Sequence, residues 1–329
     1  MSKNDIEGAY PLSSMQQGML FNSLYAPQSG VDIEQMLCTL HEDLDAPAFK
    51  QAWQQVVERH PVLRTSFRWE DLGEPVQDVH RHVELLWEEQ DWRGLSAQEQ
   101  ENRLKDHLQA DRKRGFNLTE APLMRVALFR MGEADYKCVW TFHHSILDGR
   151  SHPIILKEVF AFYAANCQDQ ILQLESPPLY RDYIAWYHDL DSPGSKAYWQ
   201  EKLKGFTAST PLPMDSVNGT AINRQHEYGE QEIRLSETAT SVLRSLAEEN
   251  RLTLNTFVQG AWALLLSRYT GEEDIVVGAT RAGRYATVPR ADEMVGNFIN
   301  TLPVRIKIAA DMALIPWLQD LRAQHISVR

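Results

Sequence analysis

Cysteine is scarce in this sequence: Cys38, Cys138 and Cys167 are the three in 329 residues. They are odd in number and far apart, which excludes a small disulfide-held scaffold. They fall in segments that read as strand, strand and helix, where they are expected to serve as small core hydrophobes. Long apolar runs are missing too. No eighteen consecutive apolar residues occur and the first eight residues are polar, so neither a membrane-spanning helix nor a secretory leader is expected, and the default location is cytoplasmic. Positive charge is in the minority: 33 Lys and Arg against 45 Asp and Glu leave a net charge of -12, which argues against a nucleic-acid partner. The Gly-x-Ser-x-Gly turn that presents a hydrolase nucleophile is absent. No set of Cys, His and carboxylate residues has convincing metal-ligand spacing, so no metal site is expected.

What is present is the balance of a folded protein, 43% hydrophobic and 24% charged without polar low-complexity tracts. Apolar periodicity predicts helices over 12–25, 46–59, 96–114, 153–165, 180–203, 237–250, 255–269 and 314–326. Strands are expected over 32–40, 62–69, 123–131, 136–143, 274–279 and 301–308, with two short ones near Val76 and Val83. Gln173 to Leu179, with Pro177 and Pro178, has the composition of a connector, so two units are expected, 1–172 and 173–329.

The chemistry concentrates at His143-His144-Ser145-Ile146-Leu147-Asp148-Gly149, where a nearly continuous apolar strand ends before a helix. Adjacent strand residues point to opposite faces, so the two histidines cannot both address one substrate and are poor joint ligands for one metal. One is expected to be structural and the other a base. Asp148, four residues on, is placed to organise the turn or cap the helix that follows.

His-His-x-x-x-Asp-Gly resembles the signature of the condensation domains of nonribosomal peptide synthetases. Four more segments resemble that family's motifs in the same order: 12–20, with Gly18 where Arg is common; 59–67, with Pro61 where Glu is usual; 180–186; and 295–305. The resemblance spans residues 10–329. It implies an α/β fold of two chloramphenicol acetyltransferase-like lobes in a V-shaped pseudo-dimer. It also implies an incomplete second lobe, since the family's last two motifs are not in the sequence, and exposed apolar surface near Trp317 and Leu321 is therefore expected.

The implied reaction is amide formation between a donor thioester and an acceptor amine. Both arrive on phosphopantetheine arms of peptidyl carrier proteins, beside an adenylation domain, with no cofactor held by this domain and no nucleic acid or membrane as partner. By resemblance the catalytic residue is His144, with His143, Asp148 and Gly149 completing the motif. Asp148 is expected to form a structural ion pair with an arginine of the second motif, Arg64 being preferred to Arg59 because it lies in an apolar strand. Asn300, Tyr180 and Trp186 are tunnel-lining candidates. Arg112, Lys113 and Arg114 form a basic patch for a carrier protein. Epimerization domains share the histidine motif, but the form Asn297-Phe298-Ile299-Asn300-Thr301 resembles the condensation type; heterocyclization domains replace the paired histidines. An acyltransferase using an alcohol or soluble amine, or an inactive recruitment platform, are the alternatives.

Overall fold

The computed structural model describes residues 5–190, 192–207, 210, 231–284, 288–309 and 311–327. The chain divides into two compact units: Met1–Leu190 with Ala282–Asn300, and Asp191–Arg281 with Thr301–Arg329.

In the first unit, strands β1 (Ile6–Pro11), β3 (Thr65–Arg68) and β4 (Val76–His80) form an antiparallel sheet in the order β1-β4-β3. A second sheet runs β2-β7-β6-β5, from β2 (Ile33–His41), β7 (Asp135–His143), β6 (Met124–Arg130) and β5 (Leu86–Asp91), with only the β5–β6 pair parallel. Around them lie α1 (Ser14–Tyr25), α2 (Ala46–Arg59), α3 (Ala97–Arg114), α4 (Ser151–Asn166) and α5 (Tyr180–Asp189).

The unbroken apolar run of β7 is explained by cover on both faces. Trp140 meets Trp53 of α2 at 5.1 Å between ring centroids, while Val139 clusters with Trp92 and Phe129 on the side where Leu104 and Leu108 of α3 pack. A strand fixed from both sides ends at a well-defined point in space. That point is His143.

Helix α1 begins with a reciprocal cap: Gln16 N donates to Ser13 Oγ at 3.2 Å and Ser13 N to Gln16 Oε1 at 2.9 Å. The Gln16 side chain is fully buried and its Nε2 also donates to the carbonyl of Ser145, at 3.0 Å. A cap of α1 thereby clamps the loop that leaves β7.

The second unit contains α6 (Ser192–Lys202), α7 (Glu237–Glu249), α8 (Leu254–Thr270), α9 (Leu314–Ser327) and the paired strands β8 (Asp274–Arg281) and β9 (Asn300–Lys307). Trp317 and Leu321 of α9, near which exposed apolar surface was expected, are themselves buried. Gly260 of α8 makes this possible: a Cβ there would stand 2.5 Å from Leu318 and 3.2 Å from Trp317, so α9 seats on the glycine. Exposed apolar side chains flank Trp317 and Leu321 on α9, at Leu314 and Ile326, and lie also on α8 at Val258, Trp262, Leu265 and Tyr269. Among the described residues no helix is long and apolar enough to cross a membrane.

Several expectations require correction. The segment read as one strand over 62–69 is a 3-10 turn, Pro61–Arg64, followed by β3; proline fixes φ and starts the turn. The helix expected over 180–203 ends at Asp189, and α6 follows from Ser192. The proposed boundary at 173–179 falls inside the first unit, because Tyr180, Tyr183 and Ile184, together with Met294, Val295 and Phe298, belong to its core. Cys38 and Cys138 face each other across β2 and β7, but Cys167 is exposed just beyond α4 rather than in the core. Strand β1 went unread because its middle residues are exposed and carry no alternation.

Candidate active site

The two histidines have opposite environments. His143 is buried, and Ser145 N donates to its Nδ1 at 3.2 Å, so Nδ1 carries no proton. Its Nε2 is then the N–H, 3.1 Å from Ser23 Oγ of α1. Burial lowers its pKa to about 4, which keeps the ring neutral. His143 ties α1 to the strand end.

His144 is half-buried, and its Nδ1 lies 2.7 Å from the carbonyl oxygen of Leu147. A carbonyl can only accept, so Nδ1 carries the proton and the lone pair sits on Nε2. The loop thus selects one tautomer and leaves Nε2 able to take a proton. The His144 main chain is held as well: its N–H donates to Asp32 O at 2.8 Å and its carbonyl accepts from Asn297 Nδ2 at 2.6 Å.

Asp148 has no access to solvent and makes no contact with Arg64; its partner is Arg284. Arg284 donates an N–H to Asp148 Oδ1 at 2.7 Å, with both side chains 1% exposed. The same guanidinium donates to Ser151 Oγ at 2.8 Å and to the carbonyls of Ala291 and Met294 at 2.9 and 2.6 Å. Its carbon lies 4.1 Å from the centroid of the Phe298 ring. Asp148 Oδ1 also accepts from the N–H groups of Arg150 and Ser151, both at 3.1 Å, capping the first turn of α4, and Oδ2 accepts from Phe298 N at 3.1 Å. Arg64 is buried elsewhere: it donates to Glu7 at 3.1 Å and to the carbonyls of His80 and Arg81. A buried arginine needed a partner, as expected, but the turn at Pro61–Arg64 aims it at β1 and the end of β4.

The segment 294–298 is the second half of the loop's support. Tyr180 is buried, its hydroxyl donates to Asn297 O at 2.5 Å, and a Cβ on Gly296 would stand 2.2 Å from its ring. Tyr180 therefore packs under the loop rather than lining open space. Trp186 is partly buried against the core beside Tyr183. Asn300 opens β9; the asparagine that reaches the histidine loop is Asn297. At Gly149 a Cβ would meet no atom within 4 Å, so the space in front of the loop is open there.

Arg284, Ser151 and Asn297 went unread in their roles. What fixes the first of them shows only in the structure: Gly283 precedes it with φ +51°, and a Cβ there would stand 1.8 Å from Phe298 O, so that glycine is obligatory. Among the described residues no group of three or more His, Cys, Asp or Glu could hold a metal ion.

Residues 6–329 match the family described as the condensation domain. The chain belongs to that family. It is 44% identical over 324 residues to one of the proteins that make up the linear gramicidin synthase of Brevibacillus parabrevis, covering 98% of this chain and 4% of that protein. To chondramide synthase cmdD of Chondromyces crocatus it is 35% identical over 367 residues, covering 99% of this chain and 9% of that protein. It therefore corresponds to a small part of each of these curated relatives. The first condensation domain of the calcium-dependent antibiotic synthetase, solved with a substrate analogue, superposes with a TM-score of 0.77 at 18% identity, over 98% of this chain and 75% of that one. That likeness shows the fold. Condensation domains are acyltransferases that form amide bonds, and the locked histidine loop is where such chemistry is to be sought.

Proposed function

We propose that this domain joins a donor acyl or peptidyl thioester to the amine of an acceptor aminoacyl thioester, both on phosphopantetheine arms of carrier proteins, with His144 handling the proton. The reading rests on one observation above all: Leu147 O holds the Nδ1–H, so Nε2 presents its lone pair at the end of a strand braced on both faces. An α-ammonium titrates near pH 8, so a useful fraction of free amine is present at about neutral pH. As the amine nitrogen attacks the thioester carbonyl, Nε2 accepts its proton. The C–S bond then breaks and the departing thiolate receives that proton. General base catalysis contributes roughly 10²- to 10⁴-fold, so positioning of the two arms must supply the rest.

Asp148 and Arg284 touch no reacting atom in this account; their bonds to α4 and to 294–298 hold the loop in shape. The domain brings no cofactor of its own, the arms being substrate. The exposed end of α3, Arg112 to Arg114, offers positive charge to an acidic carrier protein, and an adenylation domain alongside would load the acceptor, all in the cytoplasm. Offering the full-length protein one donor-loaded carrier with either an aminoacyl carrier, a free amine or an alcohol tests the acceptor class. Product from the carrier-bound acceptor alone is expected; equal turnover of the free acceptors would contradict the proposal.

A further inference from the structure

Asp32 is a titratable group beside His144 that the mechanism above leaves unused. It continues the β2–β7 pairing one step past Ile33 and His143, as the bond from His144 N to Asp32 O shows. Residues directly opposite in an antiparallel pair project to the same face, with Cβ atoms about 4.5–5.5 Å apart. The Asp32 carboxylate and the His144 imidazole therefore share one face, and the two interact electrostatically. Asn22, on α1, favours the charged carboxylate, while Oδ2 is buried with no hydrogen-bond partner among the described residues. A buried carboxylate oxygen without a donor costs stability unless a charge or proton arrives to meet it.

The other charged groups nearby do not supply that donor. Glu34, two residues along the same face, is exposed and adds like charge. Asp148 is taken up by Arg284. His152 of α4 sits edge-on to Trp140 and Phe142, and burial lowers its proton affinity. Burial likewise raises the proton affinity of Asp32, with Glu34 adding to it and His144 opposing it.

We propose that Asp32 is a positioning residue for amide formation, its carboxylate acting as the counter-charge to the imidazolium that His144 becomes when the acceptor amine gives up its proton. The inference rests on the proposed role of His144. Leu147 O fixes which nitrogen is free; Asp32 makes the protonated ring cheaper to form, so that the proton can wait on Nε2 until the thiolate leaves. No group is consumed, because the proton taken from nitrogen is the one returned to sulfur.

The test separates the electrostatic claim from the catalytic one. In ¹⁵N-histidine-labelled protein the titration of the His144 ring is followed by NMR in wild type, Asp32→Asn and Glu34→Gln. Loss of a neighbouring opposite charge from a half-buried site should lower the His144 midpoint by roughly half a pH unit or more in Asp32→Asn. Glu34→Gln, at the exposed position, should move it less. The acid limb of kcat/KM for amide formation should shift to lower pH in Asp32→Asn by the same amount, with a several-fold lower plateau, and Asp32→Glu should recover part of that loss. A His144 midpoint unmoved in Asp32→Asn, or moved equally by Glu34→Gln, would overturn the assignment to Asp32 whatever the enzyme catalyses. If Asp32→Asn does not fold, Asp32→Ser, which also removes the charge but keeps a small polar side chain, should lower the midpoint in the same direction, and no change there would equally overturn it. Absence of amide formation in wild type, with the NMR shift intact, would instead strike the proposed function.

Discussion

Replacing Asp148 by alanine leaves Arg284 with a positive charge in a site where its side chain is 1% exposed. Five donors lose an acceptor: the guanidinium N–H, the Ser151 hydroxyl, and the backbone N–H groups of Arg150, Ser151 and Phe298. Arg284 keeps its bonds to Ser151 Oγ and to the carbonyls of Ala291 and Met294, which soften the loss without neutralising the charge. Breaking one side of a buried pair costs about 3–5 kcal/mol, and Asp148→Ala and Arg284→Ala should each fall in that range. The two residues are 136 positions apart, so the cost measures the attachment of the returning segment 282–300 to α4. Urea unfolding of the two single variants and the double variant gives the coupling. It should be at least about 1 kcal/mol for Asp148 with Arg284, whereas Asp148 with Arg64 should be additive to within about 0.5 kcal/mol. Additivity of the first pair, or coupling of the second, would refute the argument.

Burying a neutral His143 sets a pH dependence with a definite sign. Its folded-state pKa, about 4, lies below the unfolded value of about 6.5, so its contribution is full above about pH 6.5 and is lost as pH falls towards 4. That difference amounts to roughly 3 kcal/mol, and the stability gap between wild type and His143→Gln should narrow by a comparable amount over this window in urea unfolding at stepped pH. Gly296→Ala would drive a methyl into the Tyr180 ring, 2.2 Å from its nearest atom; overpacking of about 1–3 kcal/mol and a loop displaced at Asn297 are expected, seen as a lower unfolding midpoint and weaker amide formation.

The strong elements were legible because burial writes itself into the sequence. The doubly covered β7 reads as a continuous apolar run, α2 as a periodic one, and the contrast between the histidines follows from strand alternation alone. The ion pair was not legible. Arg64 shares the second motif with Arg59, and its burial demanded a partner, but nothing local says which carboxylate a buried arginine meets. Arg284 stands in a loop without periodicity, and its link to Asp148 exists only after the chain has returned to the first unit. The same return defeats a boundary drawn at the proline pair, since a connector's composition does not reveal that a later segment comes back to complete the core.

The central claim is that Nε2 of His144, freed by the Leu147 carbonyl, carries the proton of amide formation. Single-turnover transfer between a donor-loaded and an acceptor-loaded carrier, measured in the full-length protein, tests it directly. His144→Ala should slow amide formation by roughly 10²- to 10⁴-fold while urea unfolding and near-ultraviolet circular dichroism stay close to wild type. A variant that folds normally and condenses within a few-fold of the wild-type rate would contradict the account.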